Sequence, residues 1–149
     1  MTTNTPKVPY SVATVAWETH ARELQLVREQ VFIVEQDVPL DEEWDGRDET
    51  AWHVLAVDAE GNPVGTARVL DSGQIGRMAV LKSLRGSGLG AALLQEAMRC
   101  AEQQGLSGIF LHAQTHAIPF YEKQGFTAEG EVFMDADIPH RNMVLANAI

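Results

Sequence analysis

The 149-residue sequence predicts an α/β or α+β fold, one mixed sheet with helices on its faces. Three observations carry that prediction. Three β-rich segments separated by short turns occupy the middle of the chain. The most regular amphipathic helix follows, behind a glycine-rich turn. Short apolar segments then alternate with a second, shorter helix towards the C-terminus. The length suits one domain with a sizeable core and is too short for two, so residues 10–149 are assigned to a single domain and residues 1–9 to a loose leader.

Tyr10 to Trp17 (YSVATVAW) is rich in β-branched and aromatic residues, which suits a first strand. From about Thr19 to Val34 the apolar residues Leu24, Val27, Val31 and Val34 recur at three- and four-residue steps, the period of a helix. The carboxylate-rich stretch Glu35 to Glu49 contains Pro39 and Gly46 and reads as a solvated loop with at most one short turn. His53 to Ala59 and Val64 to Leu70 flank the turn sequence Glu60-Gly61-Asn62-Pro63, and Gln74 to Leu81 follows Asp71-Ser72-Gly73, so the three form a meander. Leu89 to Gln104 puts Leu93, Ala97, Met98 and Ala101 on one helical stripe, with Gly105 as the stop. Gly108 to Ala113 fits a buried strand and Ala117 to Gln124 a short helix closed by Gly125. Phe126 to Phe133 is extended, and Asn142 to Asn147 makes a final strand.

Composition narrows the function. With 45% hydrophobic and 21% charged residues the chain is neither disordered nor fibrous. No apolar run approaches the roughly 18 residues of a membrane span, and MTTNTPKVPYSV lacks the apolar region of a secretory signal, so a cytoplasmic protein is expected. A single cysteine, Cys100, agrees with a reducing compartment and reads as a packing residue. The formal charge of −10 disfavours nucleic acid and anionic membranes as partners. An anionic ligand must therefore be held by donors concentrated at one site.

Arg85-Gly86-Ser87-Gly88-Leu89-Gly90 is such a site, between a strand and the start of the firmest helix. Glycines let backbone approach a ligand, and the first amides of a helix have no intrahelical acceptor, so the segment can cradle a phosphate or pyrophosphate. The bland alternative is a glycine turn that only caps the helix. A P-loop is excluded because Gly90 is followed by Ala91-Ala92 rather than Lys and Ser or Thr. A dinucleotide fingerprint fits poorly: Lys82 to Arg85 separate the turn from its strand, and the next strand ends in Leu111-His112-Ala113-Gln114 without an acidic residue.

Arg85-x-x-Gly88-x-Gly90 after Met78-Ala79-Val80 resembles the acetyl-CoA loop of the GNAT N-acetyltransferase superfamily. Ala117-Ile118-Pro119-Phe120-Tyr121 followed by Gly125-Phe126 resembles its second hallmark. Arg28-x-x-Val31-Phe32-Ile33-Val34-Glu35-Gln36, Glu43-x-Asp45-Gly46-x-Asp48 with His53, and Ile138-Pro139-His140-x-x-Met143 resemble the ElaA-like subgroup, so the likeness runs from about Tyr10 onward. The resemblance implies a sheet whose central strands splay and an acetyl-CoA co-substrate. Its pyrophosphate would lie on Arg85, Gly86, Ser87, Gly88, Leu89 and Gly90, and its pantetheine along Met78, Ala79 and Val80 like an added strand. Gln114 stands where many members carry Asn on the pantetheine arm. Tyr121 is implied as proton donor to the leaving sulfur, and the Val80 amide as partner of the thioester oxygen.

No acidic residue lies on Gln74 to Leu81, where many members place a base. His53, His112 and His140 by chemistry, and Glu35, Glu42 and Asp45 by charge, are the remaining candidates for the base or acceptor site, with Gln36 beside them; a water relay is the other route. The acidic segment beside an acceptor mouth would attract a cationic amine: a polyamine, an aminated small molecule or a basic peptide end. No metal is expected, since a strand-to-helix break separates His112 from His116. The expected activity is direct acetyl transfer from acetyl-CoA to a primary amine in a ternary complex. The competing reading is a non-catalytic acyl-CoA-binding or sensing domain, and the oligomeric state, a homodimer included, stays open.

Overall fold

The computed structural model describes residues 10–145; the leader assigned to residues 1–9 and the end of the predicted last strand, Ala146 and Asn147, lie outside them. β1 (Tyr10–Val15) leads into α1 (Trp17–Arg28), a π-helical segment (Glu29–Glu35), the single turn α2 (Leu40–Glu43) and a 3-10 turn (Asp48–Thr50). β2 (Trp52–Asp58), β3 (Pro63–Val69) and β4 (Gln74–Val80) form the meander. Then come α3 (Leu89–Gln103), β5 (Phe110–Gln114), α4 (Ile118–Lys123), β6 (Phe126–Asp135) and β7 (Ile138–Leu145). The elements fall where periodicity places them, with three differences. β1 stops at Val15 and Trp17 starts the helix instead of ending the strand, α1 passes into a π-helical segment rather than running to Val34, and β7 begins at Ile138. Trp17 is drawn into the helix by tertiary partners: its ring lies 5.1 Å from that of His53 and 6.0 Å from the Arg28 guanidinium carbon.

The strands form one sheet in the order β1-β2-β3-β4-β5-β7-β6, with every neighbouring pair antiparallel except β4 and β5. That parallel pair meets only at Gln74 with Phe110 and Ile75 with Leu111. Beyond Ile75 the two strands part. The cause lies within β4, where Thr66 pairs with Ala79 but Arg68 pairs with Gly76, which leaves one residue of β4 unmatched. The unmatched residue is Arg77, whose φ of 49° is rare for a side-chain-bearing residue, and whose carbonyl accepts a 2.9 Å hydrogen bond from Thr66 Oγ1. Such a bulge bends a strand and sharpens its twist, here turning the second half of β4 away from β5 and opening a cleft.

On one face α3 buries Leu89, Leu93, Leu94, Ala97 and Ala101 against Val54, Val69, Ile75, Leu111 and Met143. The approach is close: a Cβ on Gly65 would stand 2.8 Å from Leu93 Cδ1, so any larger residue there would force the buried Leu93 side chain to shift. A smaller cluster joins Val27 and Val31 to Ala79. Because Ala79 alternates along β4 with Met78 and Val80, which join the first cluster, the second half of β4 is gripped on both faces.

The segment Glu35 to Glu49 is largely exposed with one short turn, as its composition suggests, but two of its carboxylates are not solvated. Glu43 (2% exposed) and Asp48 are buried around Arg28 (1% exposed), which donates from Nε to Glu43 at 2.6 Å and from Nη1 to Asp48 at 2.7 Å. The Trp44 ring covers the same guanidinium at 5.0 Å. Charges read locally as hydrated are here the anchors of the loop.

Candidate active site

At the first turn of α3 the chain supplies a cradle of main-chain amides. Gly86 (φ 83°) and Gly88 (φ 90°) take the left-handed conformation that lets the turn curl onto the helix axis, and no side chain caps α3. A Cβ at either glycine would meet no protein atom within 4 Å, so the space above them is open. Fifteen residues of helix behind these amides add the positive end of the dipole. The residues therefore fit a pyrophosphate.

Arg85 is tied down beside the cradle. Its Nε donates to the Val80 carbonyl at 3.0 Å and its two terminal nitrogens grip Glu35, each at 2.7 Å. The hydrogen bond from Arg85 holds the Glu35 carboxyl below its usual range. Glu35, placed by charge among the acceptor-site candidates, thus stands at the cradle end.

Beside the cradle, starting at Arg85, a chamber of about 340 Å³ runs between the splayed strands, lined by Met78, Ala79 and Val80 on β4, Gln114 on β5 and Tyr121 on α4. Tyr121 is wedged edge-on between Phe120 (5.0 Å) and Phe126 (6.2 Å). Burial pushes its phenol up to about 12, so it carries its proton at neutral pH and can donate it. Gln114 donates from Nε2 to Gln36 Oε1 at 3.1 Å, linking β5 to the segment after α1 across the chamber.

A second chamber of about 250 Å³ adjoins the first and shares with it Gln36, Gln74, Arg77, Gln114, Asp135 and His140. Glu42, Asp45 and Arg47 line it alone. Its wall is a network of three arginines and three carboxylates. Arg68 binds Asp45 at 2.8 Å and Asp48 at 3.0 Å, while Arg77 reaches Asp45 and Glu43 at 3.2 Å and also donates to the Glu42 and Glu43 carbonyls. Burial raises Glu43, against the charges of Arg77 and Arg28. Burial also opposes ionisation of Asp45 and Asp48, but the hydrogen bonds and charges of their arginine partners outweigh it and hold both below the ordinary aspartate range. Asp45 is therefore not a free charge for an acceptor; its oxygens belong to Arg68 and Arg77.

The three candidate histidines separate cleanly. His53 (1% exposed) lines neither chamber; its Nε2–H donates to the Asp48 carbonyl at 2.8 Å, and burial pulls its pKa down. His112 lines the first chamber, edge-on to Phe133, with Nδ1 3.4 Å from Gln74 Nε2. His140 lines both chambers. Arg68 and Arg77 were not singled out in the sequence, although an arginine inside each apolar strand, VGTARVL and QIGRMAV, is the one local sign that a buried charge needs a partner. Among the described residues no group of three or more His, Cys, Asp or Glu side chains is placed to hold a metal ion.

A mixed sheet parted between two parallel strands, a glycine-cradled helix N-terminus at one end of the gap and a protonated phenol inside it define an acyl-CoA acyltransferase. Residues 20–147 match the acetyltransferase (GNAT) domain, and the chain belongs to that family of acyltransferase enzymes. It is 40% identical over 131 residues to the uncharacterized N-acetyltransferase YjcF of Bacillus subtilis, covering 85% of this chain and 93% of that one. Its fold is similar to an acyl-CoA N-acyltransferase from Pseudomonas aeruginosa (TM-score 0.82, 31% identity, 92% of this chain and 99% of that one). It is equally similar to Escherichia coli ElaA (TM-score 0.82, 29% identity, with the same coverage).

Proposed function

We propose that this GNAT acyltransferase, acting as a single domain in the cytoplasm, passes the acetyl group of acetyl-CoA directly to a primary amine, both substrates being bound at once. The observation that carries the reading is the adjacency of the two chambers: a groove that begins at Val80 and Arg85, beside the cradle, and runs past Tyr121 shares walls with a second space. In such a site the thioester carbonyl lies near the Val80 amide and the departing sulfur near the Tyr121 hydroxyl, while the amine approaches from the second chamber. A covalent acyl-enzyme through cysteine finds no support: Cys100 is buried in α3, lines neither chamber, and its thiol is pushed up by burial. The carboxylates an acceptor could meet without displacing an arginine are Glu42 and Asp135, with Arg47 opposing them. This supports a compact amine rather than a polycation.

The test is release of free thiol from acetyl-CoA across a panel of primary amines, with initial rates taken at several concentrations of both substrates. Direct transfer gives intersecting reciprocal plots and an acetylated amine. Parallel plots would replace it with a covalent intermediate. Acetyl-CoA binding without thiol release for any amine would leave a binding or sensing domain.

A further inference from the structure

The proposed reaction needs a group to take the proton of the incoming ammonium, and β4 offers no carboxylate for it. We propose that His140 is this general base, acting through Nε2; the inference rests on the acetyl-transfer reading above and adds to it the residue that activates the acceptor.

Position is the first argument. His140 stands on β7 opposite Gln114 of β5 and Phe133 of β6, and its side chain lines both chambers, at the passage an amine must cross to reach the thioester. The tautomer is the second. Nδ1 lies 2.7 Å from the Ile138 carbonyl oxygen, and a carbonyl can only accept, so the ring proton sits on Nδ1. The lone pair is then on Nε2, for which the structure provides no hydrogen-bond partner among the described residues. Fixity is the third. The ring is stacked on Phe133 at 5.8 Å and 23°, and only 8% of the residue is exposed, so it is held as a preorganised base should be.

Most competing groups are otherwise engaged; Glu42 and Asp135, whose carboxylates no arginine side chain pairs among the described residues, are the remaining rivals. His53 lies outside the cleft. The Nδ1 of His112 faces an amide nitrogen of Gln74, which can only donate, so its lone pair is taken. Asp45 and Glu43 are saturated by arginines. The charged and titratable groups that share a chamber with His140 are Asp135 from β6, His112 from β5, His116 from the turn after β5, Tyr121 from α4, Arg77 from β4, Arg85 beside the cradle and, across the second chamber, Glu42, Glu43, Asp45, Arg47 and Arg68.

The proton balance closes. The ammonium gives one proton to Nε2 of His140, leaving a neutral amine whose lone pair forms the N–C bond. As the C–S bond breaks, Tyr121 hands its proton to the sulfur. The second proton shed by the acylated nitrogen restores the phenol through solvent, and the imidazolium releases its proton to bulk water.

The experiment uses the amine that the panel identifies as the best acceptor. His140→Gln should lower kcat by about a hundredfold or more. It should also abolish the ionisation of the base from the pH profile of kcat/KM, leave acetyl-CoA affinity within about threefold by calorimetry, and be partly rescued by added imidazole. Asp135→Asn should retain that ionisation. An unchanged profile in His140→Gln, or its loss only in Asp135→Asn, overturns the assignment while leaving acetyl transfer intact. Absence of thiol release by the wild-type chain with every amine overturns the underlying reading instead. Nitrogen-15 NMR of the unmutated protein is a check free of folding effects: an unprotonated Nε2 is expected in the neutral ring, and an unprotonated Nδ1 refutes the proposal.

Discussion

At the Arg85–Gly90 end of the cleft the groups offered to a ligand are main-chain amides, whereas the Glu42–Asp48 end is walled by a side-chain ion network. The first end is local: six consecutive residues and the helix behind them suffice. The second is assembled from α1 (Arg28), the acidic segment (Glu43, Asp45, Asp48), β3 (Arg68) and β4 (Arg77), residues up to 49 positions apart in sequence. The difference teaches where each end is vulnerable. A backbone site is broken by what changes the backbone or fills the space above it. A buried ion network is weakened by deleting any one charge, because the partners left behind stay buried with their charge only partly compensated.

The largest effect should come from Arg28. Arg28→Met takes the shorter of two arginine contacts from both Glu43 and Asp48, leaving them to Arg77 and Arg68, and should cost about 3 kcal/mol, read as a lowered urea midpoint. Arg85→Ala, which breaks a half-exposed pair at the other end, should cost about 1 kcal/mol or less. Equal losses would erase the contrast between the two ends. Next comes chemistry: Tyr121→Phe removes only a hydroxyl, so turnover should fall about ten- to a thousandfold while acetyl-CoA binding and folding stay near wild type. Full turnover with chemistry rate-limiting would make Tyr121 a packing residue.

Gly88→Val tests the cradle itself. The φ of 90° resists a branched side chain, and the Cβ would project into the open space meant for the ligand, not into protein. Calorimetry should show acetyl-CoA affinity falling about tenfold or more, and less in Arg85→Ala. The reverse ranking would mean that Arg85, not the amides, holds the pyrophosphate.

The smallest effect is on pH. Asp45 and Asp48 are held below the ordinary aspartate value of 3.8, so the stability they add is complete above that value and is lost as the pH falls beneath it. Glu43, raised above 4.5, has the opposite sign: its ionisation costs stability at higher pH, and that cost is relieved as the pH drops through its range. Stability should therefore hold or rise slightly as the pH falls from 6 to about 4.5 and decline below about 4, with Asp48→Asn starting lower and declining less. A flat profile to pH 3 in the wild type would show that the network adds no net stability.

Much of this was legible from residues. Strand and helix periodicity gave the element order, and the Gly86 and Gly88 pattern gave the cradle, because both depend on neighbours in sequence. The alternation of β4 could not reveal that Arg77 occupies a bulge, since the bulge exists only in register with β3, where Thr66 holds the Arg77 carbonyl. Nor could composition distinguish Glu42, facing the second chamber, from Glu43 one residue on, buried under Arg28. The acidic segment looked solvated because hydration is the default for unpartnered carboxylates. Its arginine partners lie on α1 (Arg28) and on two paired strands (Arg68 and Arg77), and only packing brings them there.

The sequence by itself determined the sheet-and-helix order, the anion cradle and the family, because propensity, turn chemistry and motif spacing are short-range properties. Only the tertiary structure decided which carboxylates are neutralised, which histidine keeps a free lone pair inside the cleft, and where the sheet opens. Those outcomes depend on burial and on partners from distant elements, and a buried charge or an imidazole tautomer is set by what it touches.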